Sequence, residues 1–249
     1  MSKKPKLFIS HSTQDKTYVS YLVKLFKAMG VDEDSIFCSS TLGSGVPLDR
    51  NIYDYLKEQF QNYDLKVIFA LSNNYYKSAA SLNEMGAAWV LSQSYTSILL
   101  PQFEFKDIKG AIDPRAISIK LDSAERELKD KLGQLYDEIK IIFGLRPRKS
   151  WEEDRDQFIE KVRRIINLWE EIKYLEKNNR PASELIVPLA QLVAIDPYDF
   201  DSLALLGVKY MVSKDQMNAI RYLEQAEKVA WNEEQLNNVR SMKYKVKFN

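Results

Sequence analysis

The chain has 249 residues, of which 45% are hydrophobic and 29% are charged. This composition is typical of a globular protein with one large domain or two modest ones. Lys and Arg together number 36 and Asp and Glu 35, so the bulk charge does not indicate a nucleic-acid partner. A single cysteine, Cys38, excludes an internal disulfide, and a single histidine, His11, excludes a histidine-cluster metal site. We therefore expect neither nucleic acid nor a bound metal.

The first residues, MSKKPKLFIS, are basic but lack the apolar stretch of a signal peptide. No run of about 18 apolar residues, the length needed to cross a bilayer, occurs in the sequence. We therefore expect no membrane association and a cytoplasmic location.

The chain up to about residue 144 alternates short apolar β-type runs with helical patterns. The predicted strands cover residues 6–12, 35–40, 65–72, 95–103 and 116–122. The predicted helices cover residues 16–30, 51–62, 78–92 and 123–143, and the stretch 103–116 holds a short helix or only a loop. This alternation predicts an α/β domain with a parallel sheet covered by helices on both faces.

Ligands of such sheets bind beyond the carboxyl ends of the strands, so the loops that leave the strands hold the candidate site. These segments are SHSTQD, SSTLGSGVPLDRN and SNNYYKSAASLNE after the first, second and third strands. The candidate substrate-binding residues are polar or glycine positions in these segments: His11, Ser12, Ser39, Gly43, Gly45 and Ser81. For the glycine-bearing segment, an exposed turn without a ligand is the alternative. For His11, the alternative is a polar loop residue that hydrogen-bonds locally.

Several familiar chemistries lack their required residues. Gly43 and Gly45 follow the second strand without a third glycine, so they do not form a dinucleotide fingerprint, and no GxxxxGK[ST] phosphate loop occurs. A phospho-accepting receiver domain would need an acidic pair after the first strand and an aspartate after the third. Residues 10–12 here read Ser-His-Ser and residues 72–73 read Ser-Asn, which excludes that function.

A set of segments in a fixed order resembles a known family. LFISHSTQD, the glycine-bearing loop, LSNNYYKSAASLNEMGAAW and ILLPQF are similar, in this order and spacing, to the boxes of a bacterial TIR (Toll/interleukin receptor homology) domain. The resemblance covers residues 6–144. It implies a flavodoxin-like five-stranded parallel sheet, the TIR fold, for a first domain at residues 1–145.

The resemblance also implies an activity. Enzymatic TIR domains cleave NAD+ at the nicotinamide-ribose bond, and their essential glutamate lies on the third helix, in the segment matched here by SLNEMGAAW. Glu84 is its counterpart and therefore the predicted catalytic residue, with NAD+ as the substrate and no further cofactor. Many members have tryptophan and cysteine four and three places before the glutamate, where this chain has Ala80 and Ser81. A carboxylate that only stabilises the start of its helix is the alternative interpretation of Glu84.

The chain from residue 146 to residue 249 shows a different pattern, because no strand signal remains and apolar residues recur at helical spacing. Leu203, Leu206, Gly207 and Tyr210, followed by Ala219, Leu223 and Ala226, reproduce the spacing of a tetratricopeptide repeat. A degenerate repeat precedes it. We therefore predict an all-helical, tetratricopeptide-like second domain, whose short repeat array needs a further packing partner.

TIR enzymes resemble one another in building the site where the loop after the second strand meets a neighbouring subunit, so we expect self-association through the TIR domains. The helical region is expected to control this assembly or to dock a protein partner. Two functions follow from the sequence: an NAD+ glycohydrolase or cyclase in bacterial antiviral defence signalling, or a non-enzymatic adaptor that assembles through its TIR and repeat surfaces.

Overall fold

A computed structural model of the protein describes residues 3–38, 52–90, 94–113 and 118–248. The chain divides into two compact units, Met1–Val162 and Arg163–Asn249. The division falls within one long helix, Trp151–Lys177. The domain boundary predicted at residues 145 and 146 lies just before that helix begins.

The first unit contains a five-stranded sheet formed by β1 (Pro5–Ser10), β2 (Ile36–Cys38), β3 (Asp64–Leu71), β4 (Ser94–Leu99) and β5 (Ile119–Lys120). The strand order is β2-β1-β3-β4-β5, and each neighbouring pair is parallel. The predicted flavodoxin-like parallel sheet is therefore confirmed. Residues 65 to 71 of β3 are all buried, as expected for a strand covered on both faces.

Five helices accompany the sheet in the described residues: α1 (Lys16–Met29), α2 (Ile52–Asn62), α3 (Asn73–Lys77), α4 (Ala79–Val90) and α5 (Glu125–Phe143). The short helix α3 lies in a segment that the sequence analysis treated as a loop. It forms because the Ser72 side chain accepts a hydrogen bond from the Tyr75 amide and caps its first turn. Between β4 and β5, the described residues form a single short 3-10 turn at Phe105–Asp107.

The strand order creates a switch point between β1 and β3. From β1 the chain crosses to β2 on one side, whereas β3, β4 and β5 follow on the other side. The connections that leave β1 and β3 therefore diverge, which opens a crevice at the carboxyl ends of these strands in proteins of this class. Ser10, the last residue of β1, pairs with Phe69 of β3, so the segments after both strands begin side by side.

Aromatic packing fixes the strands below this point. Phe8 of β1 stacks on Phe37 of β2 with ring centroids 4.6 Å apart. Phe69 of β3 meets the Tyr75 ring edge to face at 6.5 Å. Because these rings belong to one buried cluster, the strand ends and α3 form a rigid base for the loops above them.

The second unit is helical. It contains the later part of α6 (Trp151–Lys177), then α7 (Ala182–Ile195), α8 (Phe200–Val212), α9 (Gln216–Val229) and α10 (Glu233–Phe248). Six of the seven motif positions on α8 and α9 are buried, and Tyr210 is half-buried; the buried positions are Leu203, Leu206, Gly207, Ala219, Leu223 and Ala226. The predicted change from an α/β region to a helical region is confirmed. Among the described residues of the whole chain, no helix is long and apolar enough to cross a membrane.

We expect Gly207→Ala to destabilise the second unit. A Cβ atom at this position would lie 2.7 Å from Cγ and 2.8 Å from Cδ2 of Leu223, whose side chain is fully buried. The overpacking should cost about 1–3 kcal/mol. Urea unfolding followed by helical circular dichroism measures the change.

The matched control is Gly133→Ala on α5, where an added Cβ would meet no atom within 4 Å. That variant should be neutral or gain up to about 1 kcal/mol from the higher helix propensity of alanine. If Gly207→Ala were as stable as the wild type, α8 and α9 would not pack as closely as described.

Candidate functional site

The candidate catalytic residue lies on the inward face of α4. Ser81, Glu84, Met85 and Ala88 recur at helical spacing and are buried, and Glu84 is only 3% exposed. Glu84 lies beyond the first turn of α4 and is buried, so it is not an exposed carboxylate at the start of the helix. Because a buried carboxyl group requires hydrogen-bond partners, the groups around Glu84 determine what it can do.

A chain of hydroxyl groups connects Glu84 to the end of β1. The Ser10 hydroxyl lies 2.6 Å from Oε2 of Glu84 and 2.9 Å from the Tyr75 hydroxyl. The Tyr75 hydroxyl in turn lies 2.9 Å from the carbonyl oxygen of Ser81, one helical turn before Glu84. We call these contacts the hydroxyl chain Ser10–Tyr75; they connect β1 and α3 to α4.

The other predicted residues of the first loop lie beside this chain. The Ser81 hydroxyl contacts the carbonyl oxygen of His11 at 3.2 Å. Ser12 caps the following 3-10 turn by accepting a hydrogen bond from the Gln14 amide. The structure therefore brings His11, Ser12, Ser81 and Glu84 together at the switch point. The Ser12 hydroxyl contacts the backbone of the 3-10 turn that it caps.

A second bridge crosses the same strand ends. The Ser72 hydroxyl donates a hydrogen bond of 2.5 Å to Oδ2 of Asp15, and the Asn74 side-chain amide donates one of 2.9 Å to Oδ1. Asp15 is 4% exposed. The loop after β1 is therefore joined to the segment after β3 through Asp15, beside the link that the hydroxyl chain makes from the last residue of β1.

Three predicted substrate-binding positions, Ser39, Gly43 and Gly45, lie outside the described residues. Conversely, the sequence analysis did not select Ser10 or Tyr75 as site residues. Both occur in the segments that it examined at the ends of β1 and β3. The parallel pairing of these strands was the available signal that the two side chains would meet.

Burial changes the protonation equilibria of two groups at the site. It lowers the pKa of His11 to about 4, although a hydrogen bond to the Ile9 carbonyl raises it and the charge of Lys16 lowers it further. Burial also raises the pKa of Tyr75, with the hydrogen bond from Ser10 opposing this rise and the charge of Glu84 adding to it. At neutral pH the imidazole is therefore uncharged and the phenol keeps its hydrogen.

The His11 tautomer follows from geometry. Its Nδ1 lies 3.2 Å from the Ile9 carbonyl oxygen, which can only accept a hydrogen bond. The neutral ring therefore carries its hydrogen on Nδ1. The His11 ring is buried at the base of the loop after β1. Because it is uncharged, it supplies no positive charge to an ionised Glu84.

The chemistry of the site is therefore that of one buried carboxyl group with neighbouring hydroxyls. Such groups can bind and orient the hydroxyl groups of a ligand and can stabilise positive charge. Among the described residues, no cluster of three or more His, Cys, Asp or Glu is placed to hold a metal ion.

Together, fold and site define a flavodoxin-like α/β protein with a buried carboxyl group at its β1/β3 switch point and a helical unit after the sheet. No protein-family model matches the chain. The chain is 36% identical over 160 residues to the Uncharacterized protein YddK of Bacillus subtilis (strain 168). The match covers 64% of this chain and 57% of that protein, so the chain spans little more than half the length of this relative.

We expect the His11 ring to remain neutral until about pH 4, whereas a free histidine is protonated near pH 6.5. Because the unfolded chain binds this proton more readily, the folded state should lose stability as the pH falls from 6.5 to 4. The loss attributable to His11 should reach about 3 kcal/mol.

Histidine ring NMR signals against pH measure the titration directly, since His11 is the single histidine in the sequence. Urea unfolding of the wild type and of His11→Gln at both pH values isolates the stability contribution from that of the acidic residues. A His11 titration near pH 6.5 would contradict the buried, neutral ring.

Proposed function

We propose that the protein is an NAD+ nucleosidase of the TIR class, an NAD+ glycohydrolase or cyclase that serves bacterial defence signalling, with Glu84 as its catalytic carboxylate. The observation that carries this proposal is the position of Glu84, at the switch point where sheets of this order bind ligands. The resemblance of the segments around Glu84 to TIR boxes supports the choice of NAD+ as the substrate.

The proposed reaction suits a single carboxylate. The bond between ribose and nicotinamide breaks, and its electron pair stays with nicotinamide, which leaves as a neutral molecule without needing a proton donor. Positive charge develops on the ribose, where an ionised Glu84 would stabilise an oxocarbenium-like transition state. Water then attacks to give ADP-ribose and a proton, or a group of the same molecule attacks to give a cyclic isomer.

The burial of Glu84 adds a condition to this proposal. With 3% exposure and a bond to Ser10, the carboxylate reaches a ribose hydroxyl only after neighbouring chain segments move. A ribose hydroxyl could then replace the Ser10 hydroxyl as the donor, with little net loss of hydrogen bonding. The burial and the bond to Ser10 would keep the carboxylate inactive until substrate binding or assembly opens the site.

A second candidate function is a non-enzymatic TIR adaptor. Its supporting observation is that the Ser10 and Tyr75 hydroxyls already give Glu84 a structural role, joining β1 to α4. In this case the TIR and helical surfaces would bind other proteins, and the chain would release no nicotinamide from NAD+.

We expect Glu84→Gln to reduce nicotinamide release at least tenfold, which corresponds to about 1.4 kcal/mol of transition-state stabilisation. The substitution removes the charge at nearly constant shape, and its amide can still bond to Ser10. Chromatographic measurement of nicotinamide from NAD+ detects the loss.

The matched control is Glu127→Gln, the same chemical change at an exposed position on α5. It should leave the rate unchanged. Equal rates for Glu84→Gln and the wild type would exclude the catalytic role, and the absence of release at every protein concentration would favour the adaptor.

We expect the specific activity to rise steeply with protein concentration. The physical reason is that a head-to-tail contact through the loop after the second strand is heterologous, so it propagates into rings or open strands. Activity and light scattering, measured together from nanomolar to high micromolar protein, test this. A chain truncated after Arg146 should change the dependence, because it lacks the helical unit together with the start of α6, which belongs to the first unit.

Constant specific activity from a monomer would contradict self-association as the activating step. The residues of the proposed contact, Gly43 and Gly45 among them, lie outside the described part of the chain, so the double Gly→Val variant tests their part directly. We expect that variant to lose activity, since valine restricts the backbone angles that glycine permits.

A further inference from the structure

The Tyr75 hydroxyl has more hydrogen-bond acceptors in reach than it has hydrogens. Its oxygen lies 2.9 Å from the Ser10 hydroxyl and 2.9 Å from the Ser81 carbonyl oxygen. A phenol donates one hydrogen bond, so it serves one of these acceptors at a time. The Ser81 carbonyl, as part of α4, can also accept the usual bond of the helix ladder.

Which of the two acceptors receives the Tyr75 hydrogen depends on the charge of Glu84. When Glu84 is ionised, the single hydrogen of Ser10 points to Oε2 of the carboxylate, at 2.6 Å. The Ser10 oxygen can then only accept from Tyr75. If Tyr75 pointed instead to Ser81, two oxygens without a hydrogen between them would face each other at 2.9 Å. Tyr75 therefore donates to Ser10 in the charged state.

When Glu84 carries a proton on Oε2, the direction reverses. Glu84 donates to Ser10, Ser10 donates to Tyr75, and Tyr75 donates to the Ser81 carbonyl. In this state all three short contacts hold a hydrogen. The protonated state therefore uses two hydrogen bonds of the Tyr75 hydroxyl, and the charged state uses one.

We propose that Tyr75 is a positioning residue for Glu84, whose hydroxyl turns from Ser10 to the Ser81 carbonyl when the carboxyl group gains a proton. The charge on Glu84 is thereby coupled to the contact between β1, α3 and α4. The proposal concerns the hydroxyl chain and does not depend on NAD+ being the substrate.

The surroundings of Tyr75 permit its hydroxyl hydrogen to rotate but hold the ring in place. The ring is fully buried and packs edge to face on Phe69, so the hydroxyl oxygen is fixed while its hydrogen can rotate. Burial raises the pKa of Tyr75, so the hydrogen is present throughout the acidic and neutral range. Within the described residues, besides burial, the charge of Tyr76 also raises the pKa of Tyr75, the charge of Lys16 lowers that of His11, and Asp15 lies in the 3-10 turn after His11.

The test follows the Glu84 carboxyl carbon by NMR in protein labelled with 13C at the glutamate side chain. The carboxyl carbon signal that disappears in Glu84→Gln is assigned to Glu84. The pH at which Glu84 takes up its proton is then compared among the wild type, Tyr75→Phe, Ser10→Ala and the double variant. The His11 ring signal in the same samples separates its own titration.

We expect Tyr75→Phe to shift the pH of proton uptake, because the Tyr75 hydroxyl makes different hydrogen bonds in the protonated and the charged state. The shift should be at least about half a pH unit, a threefold change in proton affinity. Tyr75→Phe should cause no further shift in the Ser10→Ala background, because Tyr75 reaches Glu84 through Ser10. A role in packing alone would not produce this dependence on Ser10.

Tyr76→Phe is the matched control, because the Tyr76 hydroxyl contacts the Lys109 backbone rather than Ser10. It should leave the Glu84 titration unchanged. A measurement on unsubstituted protein adds a second test: the hydroxyl-bearing ring carbon of Tyr75 should shift at the same pH as Glu84. The proposal would be overturned if Tyr75→Phe left the pH of Glu84 proton uptake unchanged, or if it shifted that pH equally with and without the Ser10 hydroxyl. It would also be overturned if the Tyr75 ring-carbon signal did not change at the pH where Glu84 titrates.

Discussion

The hydrogen bond between Ser10 and Glu84 is the interaction on which the site depends. It joins the last residue of β1 to the inward face of α4, across 74 residues of sequence. Without a donor at this place, a carboxyl group with 3% exposure would be costly, and α4 could not present Glu84 toward the strand ends. The parallel sheet supplies the donor, because β1 ends beside β3 and the chain after β3 leads into α3 and α4.

The same geometry closes the site in this structure. The bridge from Asp15 to Ser72 and Asn74 holds the first loop against the start of α3, and the contact of the Ser81 hydroxyl with the His11 carbonyl oxygen holds it against α4. A ligand that enters the switch point must exchange some of these bonds for its own. Sugar hydroxyls are suited to this exchange, because they both donate and accept hydrogen bonds as serine does. The closed form thus agrees with a proposed enzyme that needs activation.

The sequence predicts the sheet and the helical unit well, because both depend on apolar periodicity. Glu84 was found through the resemblance of its segment, and its burial was not foreseen, since helical spacing does not reveal which polar group faces inward. The sequence analysis missed α3 because its cap depends on Ser72, a loop residue by composition. The contacts of Ser10 with Tyr75 and Glu84 join residues 65 and 74 positions apart, and no local pattern encodes such pairs.

We propose that the switch point binds NAD+ with Glu84 at the ribose. A crystal structure with a non-hydrolysable NAD+ analogue tests it most directly. We expect a ribose hydroxyl within hydrogen-bond distance of the Glu84 carboxylate, with the bond from Ser10 to Oε2 replaced by one from the ligand. An analogue bound elsewhere on the protein, with the Ser10 to Glu84 bond intact, would contradict the claim.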